Sequence, residues 1–453
     1  MDRSSIIILG ATPTSEAFIA MLNRYGNHIT LIDQDMDNLK RIGAKYDINT
    51  ICEFPSYPET LQLADTTNAS ALIAITPSDE TNLIACHVAK HQAPGITCIT
   101  SLSNQGYSWG ASRPSYAQPV NSALSSPLSI YEDIHKLIEN PGYLHINQLG
   151  AEFYSASLKI DKGTPLIGMT LEEANQTLPK KMIMAGLRRQ NAWVKFRRNI
   201  KIAEKDIILL VSSEKQLSNK RFSKQSPQNL ILLGISDLTK QLCLNLPHYQ
   251  ITVIEPSREL CHSFSMAFPN ITTINDDPLD KRLLDSLGTA QATVIACSSD
   301  DENNLVYSYQ AKDTNSFKVF TLLNNLREGH IFEKGPIDYT INAPQVVCDE
   351  IIRDLLKARN ILNFYTKQNY LQIASLLVSP SHPYCNKVIS DIHLPEETFI
   401  GCIIRDHEAL FTDKNTTVLD QDIIILYSNH TKHSYNPLEA MFLPPDYLFN
   451  GKA

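Results

Sequence analysis

Two glycine turns and two carboxylates are the residues of this sequence whose types and spacing suit chemistry. Gly10 follows the apolar run Ile6 to Leu9, and Asp33 stands 23 residues further on, at the end of Ile29 to Ile32. Gly234 follows Leu230 to Leu233, and Glu255 closes Ile251-Thr-Val-Ile254. A glycine leaving a buried strand lets the chain turn tightly into a helix whose N-terminus can hold phosphate; an acid about 20 residues on can accept ribose hydroxyls. A carboxylate there also repels a 2′-phosphate, so the ligand such a pair suits is NAD(H) or an adenine nucleotide rather than NADP(H). The fingerprint is incomplete in both places. The turns read Gly10-Ala11-Thr12-Pro13-Thr14-Ser15 and Gly234-Ile235-Ser236-Asp237-Leu238-Thr239. Thr12 and Ser236 place a side chain where backbone should approach pyrophosphate, and Pro13 removes an N–H beside it. A dinucleotide site with altered contacts and a Rossmann scaffold retained for assembly both fit these turns.

Further candidates sit where other strands must end. Thr76, Ser78 and Asp79 follow the run Ala71 to Ile75, at the carboxyl edge where open sheets bind ligands; capping of the next helix by Ser78 is the better reading of this stretch, and the two roles do not exclude each other. The counterpart in the second copy is Cys297-Ser-Ser-Asp-Asp301. Asp276 marks a third-strand exit, where the first copy carries Cys52-Glu53-Phe54 and Phe54 would crowd an adenine. His87 and His91 are spaced to share a helix face, but Val88 stands where a zinc-protease pattern needs Glu. Arg188, Arg189 and Arg405 could meet an anionic effector or simply lie in solvated turns. No nucleophile–base constellation and no paired carboxylates stand out.

The elements that must position these residues come in two copies. Asn229-Leu-Ile-Leu-Leu-Gly234 repeats Ile6 to Gly10, and Ile251 to Glu255 repeats Ile29 to Asp33. Asp301-Glu-Asn-Asn-Leu305 repeats Asp79-Glu-Thr-Asn-Leu83, and Glu204-Lys-Asp-Ile-Ile-Leu-Leu-Val211 is echoed by Asp420 to Tyr427. Four landmarks in one order identify a tandem duplication. In each copy short β-branched runs alternate with helical patterns, the mark of a parallel α/β sheet, and a small β-rich part follows. The strands are expected near 5–9, 29–32, 48–52, 71–75 and 96–100, and near 229–233, 251–254, 271–274, 292–296 and 318–322. The resulting division is a Rossmann-like domain over 1–126, a crossover helix at 127–142, and a β-rich domain over 143–215. A linker at 216–228 leads to a second Rossmann-like domain over 229–343, a helix at 344–361 and a second β-rich domain over 362–453. The serine-rich stretch 101–126 has no apolar periodicity and reads as a loop.

Composition narrows the classes. The chain has 453 residues, 43% hydrophobic and 19% charged, too long for one core. A net charge of −8 argues against nucleic acid as a partner. The nine cysteines contain no Cys-x-x-Cys pair and fit a reducing cytosol. No apolar run is long enough to span a bilayer, so a membrane role would come through a partner.

The whole pattern resembles the TrkA family, the regulatory subunits of bacterial Trk potassium-uptake systems, built of tandem RCK (regulator of K⁺ conductance) N- and C-domains of the KTN type. The stretches that carry the resemblance are Thr76-Pro-Ser-Asp-Glu-Thr-Asn-Leu-Ile-Ala-Cys-His-Val-Ala89, Leu137-Ile-Glu-Asn-Pro-Gly-Tyr143, Gly163-Thr-Pro-Leu-Ile-Gly168 and Leu394-Pro-Glu-Glu-Thr-Phe-Ile-Gly401. It implies a non-enzymatic cytoplasmic subunit, peripheral on the inner membrane face. Such a subunit forms a homo-oligomeric ring, expected to be a tetramer, beneath a Trk/Ktr-type potassium transporter. Nucleotide in the Rossmann units would bias the ring. The competing readings are an NAD-dependent oxidoreductase and a ligand-free scaffold that retains ring and transporter contacts.

Overall fold

A computed structural model describes residues 5–107, 114–150, 152–179, 181–190, 192–194, 200–213, 227–325, 336–357, 359–367, 371–412, 414–429, 437–444 and 448. Two short basic runs that the sequence suggests are solvated faces, Lys195-Phe-Arg-Arg198 and Lys220-Arg221, lie outside them, as does most of the linker.

The first half opens with β1 (Ser5–Leu9), whose residues Ile6 to Leu9 are fully buried. Helix α1 (Pro13–Leu22), β2 (His28–Asp33), α2 (Met36–Gly43), β3 (Asn49–Cys52), α3 (Pro58–Leu63), β4 (Ala69–Ala74), α4 (Asp79–Gln92), β5 (Thr97–Ser101), β6 (Ser122–Leu124) and α5 (Ser126–Glu139) follow. The sheet runs β3-β2-β1-β4-β5-β6, all parallel. Parallel strands covered on both faces must be apolar throughout, which is why β1 and β4 read as continuous runs rather than alternations. The order reverses between β1 and β4, opening the crevice of a doubly wound fold at their carboxyl ends.

A small antiparallel sheet comes next: β7 (Tyr143–Gln148), β8 (Tyr154–Lys159), helix α6 (Leu171–Thr177), β9 (Met182–Arg189), β10 (Ala192–Trp193) and β11 (Ile207–Ser212), ordered β10-β9-β11-β8-β7. The second half repeats the plan. Its Rossmann sheet comprises β12 (Asn229–Leu233), β13 (Gln250–Ile254), β14 (Thr272–Ile274), β15 (Ala292–Ala296), β16 (Lys318–Leu323) and β17 (Tyr339–Asn342), again in the order 3-2-1-4-5-6. Helices α7 (Asp237–Asn245), α8 (Arg258–Ala267), α9 (Lys281–Ser286) and α10 (Asp301–Asp313) alternate with them, and α11 (Ala343–Lys357) crosses over. Strands β18 (Ile361–Lys367), β19 (Leu371–Leu377), β20 (Thr398–Arg405), β21 (Glu408–Phe411) and β22 (Ile423–Asn429) form the second antiparallel sheet, ordered β18-β19-β22-β20-β21; α12 (Pro437–Phe442) follows.

The fold is therefore two tandem Rossmann-like domains, each followed by a small β-rich domain. The stretch 101–126 is more ordered than its composition suggests. Its described part holds two 3₁₀ turns and the sixth strand β6, with Leu102 N–H donating to Leu124 O at 2.7 Å. A three-residue strand of Ser-Ala-Leu carries no periodicity to read.

By compactness the chain forms two bodies, one holding both Rossmann domains and the other both β modules. In the Rossmann body each crossover helix touches the other copy: Tyr131 Oη meets Asn245 O at 3.4 Å, and Cys348 Sγ meets Thr14 O at 3.5 Å. In the other body the two modules share one core. Phe153, Ala185, Leu209 and Val211 of the first pack with Ile373, Cys402, Ile425 and Tyr427 of the second. Tyr427 Oη, fully buried, finds Ser155 Oγ across that interface at 2.8 Å, and the Trp193 ring meets Phe399 edge-on with centroids 4.6 Å apart.

Candidate functional site

The first glycine of each turn is required by geometry. Gly10 has φ +99° and Gly234 φ +95°. A Cβ at Gly10 would lie 2.9 Å from Thr76 Cα, and one at Gly234 would lie 2.5 Å from Ser298 Cβ. The turn thus passes against the exit of the fourth strand, as a Rossmann crevice demands.

The acids at the second-strand ends face these turns. Asp33 Oδ2 accepts from Ala11 N–H at 2.5 Å and its Oδ1 from Asp35 N–H at 2.8 Å. Glu255, 6% exposed, repeats the pattern: Oε2 accepts from Ile235 N–H and Oε1 from Ser257 N–H, each at 2.9 Å. The longer glutamate reaches the same turn amide by folding inward. Two amides fix each carboxylate beside the turn, and a carboxylate oxygen keeps a second lone pair for a ribose hydroxyl.

Thr12 caps α1, its Oγ1 accepting from Ser15 N–H at 3.2 Å, while Pro13 takes the first helical position, where no N–H is needed. At the third fingerprint position both copies replace glycine by a hydroxyl that bonds back to the first glycine. Ser15 Oγ donates to Gly10 O, and Thr239 Oγ1 donates to Gly234 O at 3.0 Å. Both side chains are fully buried. Cys297 lies behind this second clasp rather than in the crevice, its Sγ 3.4 Å from Thr239 Oγ1, and burial pushes its thiol up to about 12.

At the fourth-strand exits Ser78 caps α4, accepting from Thr81 N–H at 3.2 Å, and Asp300 caps α10, accepting from Asn303 N–H at 2.7 Å. Asp79 and Asp301 hold the turns that follow the fifth strands. Asp79 accepts from Ser103 and Asn104 N–H, and Asp301 from Asn324 and Asn325 N–H. Sequence reasoning missed the residue that organises this corner. Asn82, fully buried, accepts from Thr76 N–H at 3.0 Å and Thr76 Oγ1 at 2.7 Å and donates to Thr76 O and Ser101 O, both at 3.0 Å. Asn304 does the same with Ser298 and Leu322. The repeated Asp-Glu-x-Asn-Leu was the signal. Asp276 stands exposed at the third-strand exit, its Oδ1 engaged by Asp277 N–H at 2.8 Å.

Two arginines resolve differently from both alternatives the sequence left open. Arg189 makes two bonds of 2.8 Å to Asp206, which is 1% exposed, and Arg405 binds Asp422 in the same fork at 2.8 and 2.7 Å. They are structural ion pairs at equivalent places of the two modules. Arg188, the residue before Arg189 on the same strand, is buried, and burial lowers its guanidinium to about 10. Among the described residues no cluster of three or more His, Cys, Asp or Glu side chains is arranged to hold a metal, and no helix is long and apolar enough to cross a membrane.

Parallel sheets of order 3-2-1-4-5-6, a positive-φ glycine turn at each switch point and an acid aligned on that turn define a chain with two Rossmann domains of the dinucleotide-binding type, each extended by a β module. A family description, the TrkA-N domain, matches residues 6–118 and 230–343. The chain belongs to the TrkA-N domain family and carries the domain twice. Over nearly its whole length it is similar to proteins named Trk system potassium uptake protein TrkA. It shares 27% identity over 435 residues with that of Halomonas elongata, covering 93% of this chain and 95% of the relative. With that of Vibrio alginolyticus it shares 25% over 457 residues, covering 98% and 99%. Among solved structures it is similar in fold to the GsuK RCK domain, with a TM-score of 0.63 at 14% identity over 94% of this chain and 92% of that one. The GsuK channel described as bound to NAD gives the same TM-score at 15% identity, covering 94% and 77%.

Proposed function

We propose that the chain is a cytoplasmic regulatory subunit of a Trk/Ktr-type potassium-uptake system, and not an enzyme. In this reading it senses NAD(H) or an adenine nucleotide in its Rossmann crevices. The observation that carries the reading is the carboxylate held against the glycine turn in both copies, Asp33 on Ala11 N–H and Glu255 on Ile235 N–H. That arrangement presents a ribose acceptor beside a helix N-terminus, with Gly10, Ala11 and Thr12, and Gly234, Ile235 and Ser236, forming the turns. Thr76, Ser78 and Asp79 border the first crevice; Asp276 and the backbone at Cys297 border the second. The names of the full-length relatives and the NAD-bound GsuK structure support the reading.

In mechanism, nucleotide would favour one arrangement of a homo-oligomeric ring, probed by the membrane partner at the inner face of the cell membrane. The bias is limited to the ligand's difference in affinity between arrangements. The test is calorimetric titration of the purified chain with NADH, NAD⁺, ATP and ADP. Saturable heat with at least one is expected. No heat with any would leave only the scaffold reading, and steady NADH turnover with a carbonyl substrate would establish an oxidoreductase instead.

A further inference from the structure

We propose that the Thr239 hydroxyl keeps the second turn shut to a diphosphate, so that each chain takes one nucleotide and takes it at the first turn. This rests on the nucleotide reading above and concerns which of the two turns performs it.

The two turns differ at the amide of the second fingerprint position, the group that a Rossmann turn offers to pyrophosphate. In the first copy Ser15 Oγ donates to Gly10 O and lies 3.0 Å from Thr12 Oγ1, while the Thr12 amide makes no hydrogen bond to any described residue. In the second copy the one hydroxyl of Thr239 does two things: it donates to Gly234 O at 3.0 Å and accepts from the Ser236 amide, also at 3.0 Å. The donor that should face the ligand is therefore spent inside the turn. Thr239 is fully buried against Cys297, and turning its hydroxyl away would strand Gly234 O and Ser236 N–H together.

Charge adds to the asymmetry. The first helical position is neutral Pro13 in α1, whereas α7 begins with Asp237, whose side chain is 65% exposed and paired with Lys240 at 2.8 Å. A carboxylate at a helix N-terminus suits the dipole and by the same token competes with a phosphate for that place. On α1 the first-turn acid, Glu16, is instead engaged by Arg41 and Lys45.

The experiment is the binding stoichiometry of the full chain for ADP and for NADH by calorimetry. One site per chain is expected. Two sites per chain would overturn the proposal; no binding of either nucleotide would remove the sensing reading itself and this proposal with it. Two variants then assign the site. Thr12→Pro keeps an extended conformation before Pro13 but deletes the free amide, and is expected to weaken binding by about tenfold or more. Unchanged affinity would overturn the assignment. Asp237→Asn with Thr239→Val frees the Ser236 amide while preserving shape, and is expected to raise the count from one to two; a count of one in the folded variant would overturn the role given to Thr239. If that double variant melts early, the wild-type count and Thr12→Pro decide.

Discussion

Charges taken partly or wholly out of water differ in how well the fold answers them. Asp206 and Asp422 each receive a bidentate arginine and a backbone N–H, from Ala203 at 2.8 Å and Leu419 at 2.7 Å, so their burial is fully satisfied. The repeated landmark around them was readable as sequence, but the arginine partners 17 residues upstream were not, because nothing in a turn sequence says which way a guanidinium folds back. Half-buried Lys318 is a strained case. Its Nζ donates to Tyr339 Oη at 3.1 Å and sits 5.0 Å above that ring, which stacks on Phe320. Burial is the main influence and lowers it to about 8, against the opposing pull of Asp338. Below pH 8 folded and unfolded chains both carry the ammonium, and its whole burial cost weighs on the fold. Between pH 8 and its ordinary 10.5 the unfolded chain still holds a proton that the folded chain has lost, so stability from this group rises with pH. Lys318→Met should therefore raise the melting temperature by roughly 1–3 °C near pH 7. The advantage should shrink as melting is repeated up to pH 10. A constant difference across that range would show that the charge is not the cause.

At the scale of elements, apolar runs announced the central strands of each Rossmann sheet, since a strand covered on both faces leaves a continuous hydrophobic record, while the third strands, Asn49–Cys52 and Thr272–Ile274, are part-exposed and were legible only as short β-branched stretches. The sixth strands escaped because Ser122–Leu124 and Tyr339–Asn342 are short edge segments, placed by their neighbours and by the crossover helix rather than by their own pattern. Of the site, the glycines and acids were legible from spacing. The hydroxyl clasps of Ser15 and Thr239 were not, since they depend on where the glycine carbonyl points. The corner between the fourth and fifth strands hangs on one asparagine per copy. Asn82→Ala would leave Thr76 N–H, Thr76 O and Ser101 O without their buried partner, and Asn304→Ala would do the same to Ser298 and Leu322. Each should cost about 2–4 kcal/mol in chemical denaturation of the Rossmann body. A loss below about 0.5 kcal/mol, the scale of an ordinary surface change, would mean that the strand exits hold their shape without the clasp.

For the whole molecule, duplication has done more than double the number of crevices. The repeat read from sequence divides the chain into two consecutive halves, yet the compact bodies cut across them, pairing Rossmann with Rossmann and module with module. The module pair explains why. Phe153, Ala185, Leu209 and Val211 of the first half are buried by Ile373, Cys402, Ile425 and Tyr427 of the second, and a Cβ at Gly186 would come within 3.0 Å of the Phe399 ring. A half chain ending at residue 228 would expose that apolar face together with the Ser155 hydroxyl that now meets Tyr427. Contiguous exposed apolar surface of this kind seeks a partner, and the surface of matching fold nearest to hand is the same module of another copy. The fragment 1–228 should therefore run as a dimer or larger species in light scattering, and adding the fragment 229–453 should convert it to a one-to-one complex. A stable monomer that ignores the second half would show that the shared core is dispensable to each module. The converse result would mean that the duplication fixed, within one chain, a contact that separate halves must otherwise find by diffusion. The two glycine turns were then free to diverge, as Ser15 and Thr239 have.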